Sequence, residues 1–432
     1  MSIAKGPATN VHPAKGGDPA AAPAPSSSIR QEVSLDAIAG QANRLAQESL
    51  SFLLKHGPDT AYGGFHATLN RGGVVVAPYD KGIVQQARHC WAMSHAVASR
   101  AVQGEQAKRA EAAARSTWAF MNKAMRRPDG LWAWLVTRSG SRVVDPGPSL
   151  YGHFFVIYAA VEFSKAFGDA AALKTALATF RAVDSAFHDS THGGYNETSS
   201  FPVLHSVRLP ESIAALYNAT GDEAVLVRLQ ELTQLVTSRL ITKHNAIYEF
   251  YDPATWTPVG PPSINFGHNL ESAWVVAEAN RVMVNKGKLS ATAAGAAAAK
   301  LAALRAAALR DGYDQEHGGV FEAGVPGQAS GTGEGASTKK VWWIQAESML
   351  ALLQADLKSE DPTLLKQLNG TLEFVRTHIY DPVDGEWVWQ TDAAGSVIEP
   401  YYYQKGNIWK ASYHSLRSML FMQQWIKERA GA

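Results

Sequence analysis

Six short breaks punctuate this chain at near-regular intervals, and they share one chemistry. They read Tyr62-Gly63-Gly64-Phe65, Asp129-Gly130-Leu131-Trp132, His192-Gly193-Gly194-Tyr195, Asn245-Ala246-Ile247-Tyr248, His317-Gly318-Gly319-Val320-Phe321 and Asp384-Gly385-Glu386-Trp387. Between Gly64, Gly130, Gly194, Ala246, Gly319 and Gly385 the spacings are 66, 64, 52, 73 and 66 residues. A repeat of this length holds two helices and their turns. Helix pairs that cannot bury their own apolar faces must close on one another, and six pairs close economically as an α/α toroid. Such a ring gathers helix ends and loops at one mouth, where a concave, aromatic-lined site is expected.

The even repeat favours one domain over residues 34–432, of which 46% of the whole chain's residues, the apolar ones, supply the core. Residues 1–33 are rich in Ala, Pro, Gly and Ser and are expected to form a disordered tail, because they hold too little apolar surface to offset ordering. They show no apolar secretory segment, and no stretch approaches the roughly 20 apolar residues that span a bilayer. The formal net charge of +1 gives no reason to expect nucleic acid or a membrane as partner. Cys90 is the single cysteine, so no intramolecular disulfide forms, which is compatible with a cytoplasmic location. A monomer or homodimer is expected.

Helical periodicity starts near Ser34 and recurs to the C-terminus, with Ala291 to Leu309 a strong Ala-rich helix former. The breaks run into short alternating stretches such as Phe65-His66-Ala67-Thr68-Leu69, which read as small hairpins between helices. Turn chemistry is their main expected role.

Four predicted helical segments combine polar groups with aromatics. They are Lys81 to Trp91, containing Gln86 and Arg88; Asn265 to Trp274, containing His268 and Glu271; Lys340 to Glu347, containing Trp342 and Trp343; and Trp409 to Arg417, containing His414. His268 and Glu271 are three apart and share a helix face. A carboxylate beside an imidazole raises its proton affinity, as a general base near neutral pH requires. The bland alternative is a surface pair or a satisfied core histidine. His414 lies on the last helix, which a closed ring sets beside the first, so it can share a mouth with Arg88. Trp342 and Trp343 face different sides of their helix. One belongs to the core, and the other can stack on a sugar face. Glu347 can bond a hydroxyl or pair with a lysine.

Phe266-Gly267-His268-Asn269-Leu270-Glu271-Ser272-Ala273-Trp274, Lys340 to Glu347 and Trp409 to Arg417 together resemble the N-acylglucosamine 2-epimerase family, which includes cellobiose 2-epimerases and mannose isomerases. The resemblance runs from about residue 40 to 427, with the motifs in family order. It implies an (α/α)6 barrel, in agreement with the six breaks. It also implies His268 and His414 as acid and base, with Glu271 supporting the first. Arg88 matches the substrate-binding arginine, with Gln86 close by. Trp409, Trp342 and Trp343 match pocket aromatics, and Glu347 the glutamate of the tryptophan motif. One departure stands out. Cellobiose epimerases and mannose isomerases carry a histidine three residues before a glutamate; aligned on Glu211, this chain has Arg208 there. Arg208 is expected to contribute with Glu211 to substrate binding, and a guanidinium there suits an acidic or acyl-bearing sugar. The bland alternative turns Arg208 outward to a surface acid.

The implied chemistry opens the sugar, removes the proton beside the carbonyl, and returns it on the other face for an epimer or at C1 for a ketose. Two titratable groups are needed, each worth about 10²- to 10⁴-fold. Arg88 can stabilise the oxyanion. No metal-ligand spacing and no Gly-rich phosphate loop appears, so neither metal nor cofactor is expected. Two readings compete: a glycoside hydrolase on the same toroid, using carboxylates among Glu211, Glu271 and Glu347, and a sugar-binding barrel without turnover.

Overall fold

Each break is a tight hairpin closed by the same backbone bond. The amides of Asp59, Arg127, Asp189, Thr242, Asp314 and Asp381 donate to the carbonyls of Gly64, Leu131, Gly194, Ala246, Gly319 and Glu386. The turn needs positive φ, which Gly64 takes at 72°; the fourth break has no glycine, and Asn245 takes its place at 52°. A computed structural model describes residues 34–196, 209–398 and 404–431. The expected tail, residues 1–33, and Arg208 lie outside the described residues.

Between the hairpins, twelve α-helices run among the described residues. They are α1 (Leu35–His56), α2 (Ile83–Ala98), α3 (Gly104–Ala124), α4 (Leu150–Phe167), α5 (Ala170–Phe187), α6 (Leu209–Thr220), α7 (Glu223–Leu235), α8 (Phe266–Asn285), α9 (Ala291–Gly312), α10 (Trp342–Ser359), α11 (Pro362–Phe374) and α12 (Tyr413–Ala430). Helices α2, α4, α6, α8, α10 and α12 pack in that order, and α12 returns to α2, so the inner ring closes. The odd-numbered helices form the outer layer, with α1 against α12. This is an (α/α)6 barrel.

The sequence explains which helices go inside. In α2 every residue from Ile83 to Ala96 is buried, and in α4 every residue from Leu150 to Phe163. A helix buried on all sides belongs in an inner ring. In α5 the buried set is Ala172, Ala176, Thr179, Phe180 and Val183, a single stripe. Helix α9 corrects one expectation. Alanine gives it a mean hydropathy of 1.2 over an 18-residue window, long and apolar enough by composition to cross a membrane. Here it packs against α8, burying Leu301, Leu304, Ala307 and Ala308.

Two devices fasten the hairpins to the inner helices. The Gln86 amide bonds both backbone groups of Phe65, at 2.9 and 3.0 Å. Asn269 does the same for Ile247, and Gln345 for Val320. His153 Nε2 accepts from the Trp132 amide at 2.9 Å. The second device is a buried lysine. Lys81 bonds Asp59 and the Gly63 carbonyl, Lys340 bonds Asp314 and the Gly318 carbonyl, and Lys405 bonds Asp381 and the Gly385 carbonyl. Burial lowers Lys405 to about 8 against the pull of Asp381. An additional hairpin follows the fourth break: the Asp252 amide donates to the Thr257 carbonyl, with Trp256 at φ 56°.

Candidate active site

The hairpins and the starts of the inner helices share one end of the barrel, so the first turns of α2, α8, α10 and α12 converge there. Arg88 of α2 is buried and donates from Nη1 to the Trp409 carbonyl at 2.7 Å and from Nη2 to the Tyr151 hydroxyl at 2.6 Å. Its Nη2 also lies 3.3 Å from His414 Nε2. The faces of Phe155 and Tyr413 cover the guanidinium, with ring centroids 4.4 and 5.6 Å from it. The cation is thus held before any ligand arrives.

The partners of His414 fix its tautomer. Nδ1 lies 2.5 Å from Glu347 Oε1, and a carboxylate only accepts, so Nδ1 carries the proton. Arg88 only donates, so Nε2 presents a lone pair. Glu347 is fully buried; its Oε2 accepts from Trp274 Nε1 at 3.0 Å, and its Oε1 accepts from Arg417 Nη2 at 2.5 Å. Arg417 reaches further, to both oxygens of Glu211 at 2.5 and 2.6 Å and to Glu271 at 3.7 Å. Glu211 also accepts from Tyr413 at 2.5 Å and Tyr158 at 3.1 Å. Burial raises the Glu211 pKa, with Arg417 opposing. A narrow cleft opens on this network, lined by Tyr151, Phe155, Glu211 and Glu271 among others.

His268 stands at the start of α8, where Asn265 caps the helix by accepting from the His268 amide. Its Nδ1 lies 2.6 Å from Glu249 Oε1, so the same argument points Nε2 away from that carboxylate. Trp343 stands between the histidines. Its ring centroid is 4.8 Å from His268 and 5.8 Å from His414. The two imidazoles are therefore no farther apart than the sum of those distances, inside the roughly 12 Å that one small sugar can bridge by hydrogen-bond steps.

Three expectations are corrected. Glu271 does not hold His268; Glu249 does, and Glu271 faces Arg417 one turn deeper. Glu271 lies three residues further along α8, about 4.5 Å deeper at 1.5 Å rise per residue, which leaves it inside the ring while His268 stays at the mouth. Gln86 is spent on Phe65, as described above. Trp342 is 3% exposed and packs on Trp389 at 4.5 Å, which makes it core. Trp409 is 45% exposed beside Trp134, 5.4 Å away, at the mouth. Glu271, Glu347 and His414 also place potential ligand atoms within 4.8 Å of one another. Arg417 already lies against both carboxylates, supplying the positive charge that a cation would bring.

Glu249, Tyr151 and Arg417 were not singled out from the sequence. Glu249 directly follows the fourth break's Tyr248, and that position was its only signal.

The N-acylglucosamine 2-epimerase (GlcNAc 2-epimerase) family model matches residues 63–417. Cellobiose 2-epimerase of Bacteroides fragilis is 25% identical over 393 residues, 86% of this chain and 95% of that one. N-acylglucosamine 2-epimerase of Bos taurus is 25% identical over 404 residues, covering 89% and 90%. The solved cellobiose 2-epimerase of Spirochaeta thermophila superposes with a TM-score of 0.80 at 25% identity, covering 91% of this chain and 98% of that one.

Proposed function

Because this chain belongs to the N-acylglucosamine 2-epimerase family, we propose that it is a sugar 2-epimerase or aldose–ketose isomerase working through a ring-opened enediolate between His268 and His414. One observation carries the reading. Two imidazoles flank Trp343, each with Nδ1 bound to a carboxylate, Glu249 for one and Glu347 for the other.

The sugar opens to its aldehyde. One Nε2 takes the proton from C2, and the electron pair moves onto the carbonyl oxygen to give the enediolate. The other imidazole, protonated, returns a proton to the opposite face of C2, which inverts the centre. Delivery to C1, with a proton moved between O1 and O2, gives the ketose instead. Arg88, buried and already aligned, stabilises the oxyanion without reorganising. Each carboxylate steadies the imidazolium that forms beside it.

The hydrolase reading asks one carboxyl group to protonate a leaving oxygen. Glu211, Glu271 and Glu347 all lie against one guanidinium, and the oxygens of Glu211 and Glu347 are already occupied by bonds from Arg417, Tyr413, Tyr158 and Trp274. The test is incubation with unphosphorylated aldoses and a disaccharide in deuterated water. The proposal expects deuterium at C2 in the recovered sugar. Shorter sugars released without exchange would establish a hydrolase. Binding without either change would leave a sugar-binding barrel.

A further inference from the structure

The first, third and fifth breaks each carry two successive glycines with positive φ: Gly63 and Gly64, Gly193 and Gly194, Gly318 and Gly319. The sixth repeats that pair of conformations with Gly385 at 81° and Glu386 at 60°. A glutamate thus holds a left-handed conformation that the three matching turns leave to glycine, and a Cβ makes that conformation costly. The residue is also buried, and its Oε2 has no hydrogen-bond partner among the described residues. Backbone and carboxylate both sit unfavourably, so the compensation lies in what the side chain touches.

Glu386 Oε1 accepts from Ser415 Oγ at 3.1 Å and lies 3.5 Å from Lys410 Nζ. Fastening the hairpin does not by itself call for an acid. At the first and fifth breaks an amide on the inner helix, Gln86 or Gln345, does that work and leaves the second turn position to glycine. What sets the sixth apart is Lys410. It is fully buried, and its Nζ also donates to the Lys405 carbonyl at 3.2 Å. Lys410 belongs to residues 407–412, the segment that leads into α12. Asn407 Oδ1 closes the turn there, accepting from the amides of Trp409 and Lys410 at 2.9 and 2.8 Å. The segment carries the Trp409 carbonyl, which receives Arg88 Nη1 at 2.7 Å. That acceptor belongs to the backbone, so only the path of the chain can place it. The Trp409 side chain is exposed, whereas Lys410 beside it is anchored inside the protein.

We propose that Glu386 and Lys410 are positioning residues for the reaction: the buried pair fixes residues 407–412 so that the Trp409 carbonyl aligns the Arg88 guanidinium with the oxyanion. This rests on the epimerase or isomerase reading given above.

The test is a double-mutant cycle read by deuterium exchange at C2. Glu386→Gly combined with Lys410→Met removes both buried charges and gives the turn the residue of its three counterparts. The combined change is expected to keep or raise the unfolding midpoint, because the strained backbone and the buried ions go together. The exchange rate per folded molecule is expected to fall about 10- to 100-fold, as it does when a contact group is misplaced. In an Arg88→Met background the same change should add less than about 2-fold, since the group it positions is gone. A pair that serves stability alone would leave the rate per folded molecule unchanged, or reduce it equally in both backgrounds. Either result overturns the proposal. If the combined variant fails to fold by circular dichroism, Glu386→Gln, which keeps a bond to Ser415 and drops the charge facing Lys410, takes its place in the cycle and is judged by the same rates. No exchange in the wild-type protein would instead remove the epimerase reading, and this inference with it.

Discussion

Two sets of side chains share the first turns of the inner helices and do opposite work. Gln86, His153, Asn269 and Gln345 bond backbone atoms of the hairpins, and the arrangement repeats around the ring. Arg88, His268, Glu347 and His414 bond chiefly one another and neighbouring side chains, and their residue types change from helix to helix. The sets are interleaved. His268 directly precedes the clamp Asn269, and His414 precedes Ser415, whose hydroxyl bonds Glu386 of the sixth break at 3.1 Å. Arg88, Glu271, Glu347 and Arg417 stand two residues beyond Gln86, Asn269, Gln345 and Ser415. A shift of one residue turns a helical side chain by about 100°, from the hairpin to the barrel axis. The ring therefore keeps its symmetry at one angle while chemistry diverges at the next. His153 shows that residue type does not decide the set. It is a histidine with both ring nitrogens committed to backbone, Nε2 to Trp132 and Nδ1 to Ser149 at 2.5 Å.

Removing a catalytic imidazole tests the contrast most severely. His414→Ala and His268→Ala are each expected to lower kcat/KM by about 10²- to 10⁴-fold. Both should leave a cooperative unfolding transition. If activity per folded molecule survived in either while stability fell, that histidine would belong with His153. Glu249→Gln should cost less, on the order of 10²-fold in kcat, because a carboxylate orients and steadies its histidine without touching substrate. The matching Glu271→Gln should change the pH dependence that His268 imposes on kcat less than Glu249→Gln does. The reverse order would restore Glu271 as the support of His268.

This interleaving also marks where the sequence could be read. The six breaks and the closed ring were visible because turn chemistry and helix periodicity are local. The histidines, Arg88 and Glu347 were visible through the resemblance. Glu249 was hidden because it reaches His268 across 19 residues, from a loop with no motif of its own. Gln86 was misassigned because an amide in an aromatic segment looks the same whether it holds a ligand or a carbonyl. The lysine locks left a signal that went unread: Asp59, Asp314 and Asp381 each precede Gly64, Gly319 and Glu386 by five residues. Arg417 stood in a quoted segment, but only tertiary structure brings Glu211, Glu271 and Glu347 to it.

The locks belong with the symmetric set, so their loss should appear in stability. Asp381→Asn leaves Lys405 buried without its counter-charge, and about 3–5 kcal/mol of unfolding free energy is expected to go. The pH dependence has a definite sign. Burial alone would raise Asp381, but the Arg71 hydrogen bond and Lys405 hold it at about 2. A folded pKa below the ordinary value near 3.8 means stability that is present above 3.8 and lost as pH falls toward 2. Denaturant unfolding across that window should show a shallower acid loss in Asp381→Asn than in the wild type. Parallel acid limbs would remove the lock from the account.

Gln86→Leu is expected to have the smallest effect on turnover and is therefore the sharpest check on the boundary between the sets. Leucine is close in size, so the cavity term is small. What is lost is the pair of bonds to the Phe65 amide and carbonyl, both buried, at about 1–3 kcal/mol for each group left unpaired. The thermal midpoint should fall clearly. Yet Arg88, two residues on, is held independently by Trp409, Tyr151 and three aromatic faces. The oxyanion contact should survive, and kcat/KM per folded molecule should stay within roughly 2-fold of wild type, a difference too small for a lost transition-state contact. The measurement pairs initial rates with the folded fraction at the assay temperature. An unchanged melting point with a rate as low as that of His414→Ala would put Gln86 in contact with substrate, and the division between clamps and chemistry would fail at the first repeat.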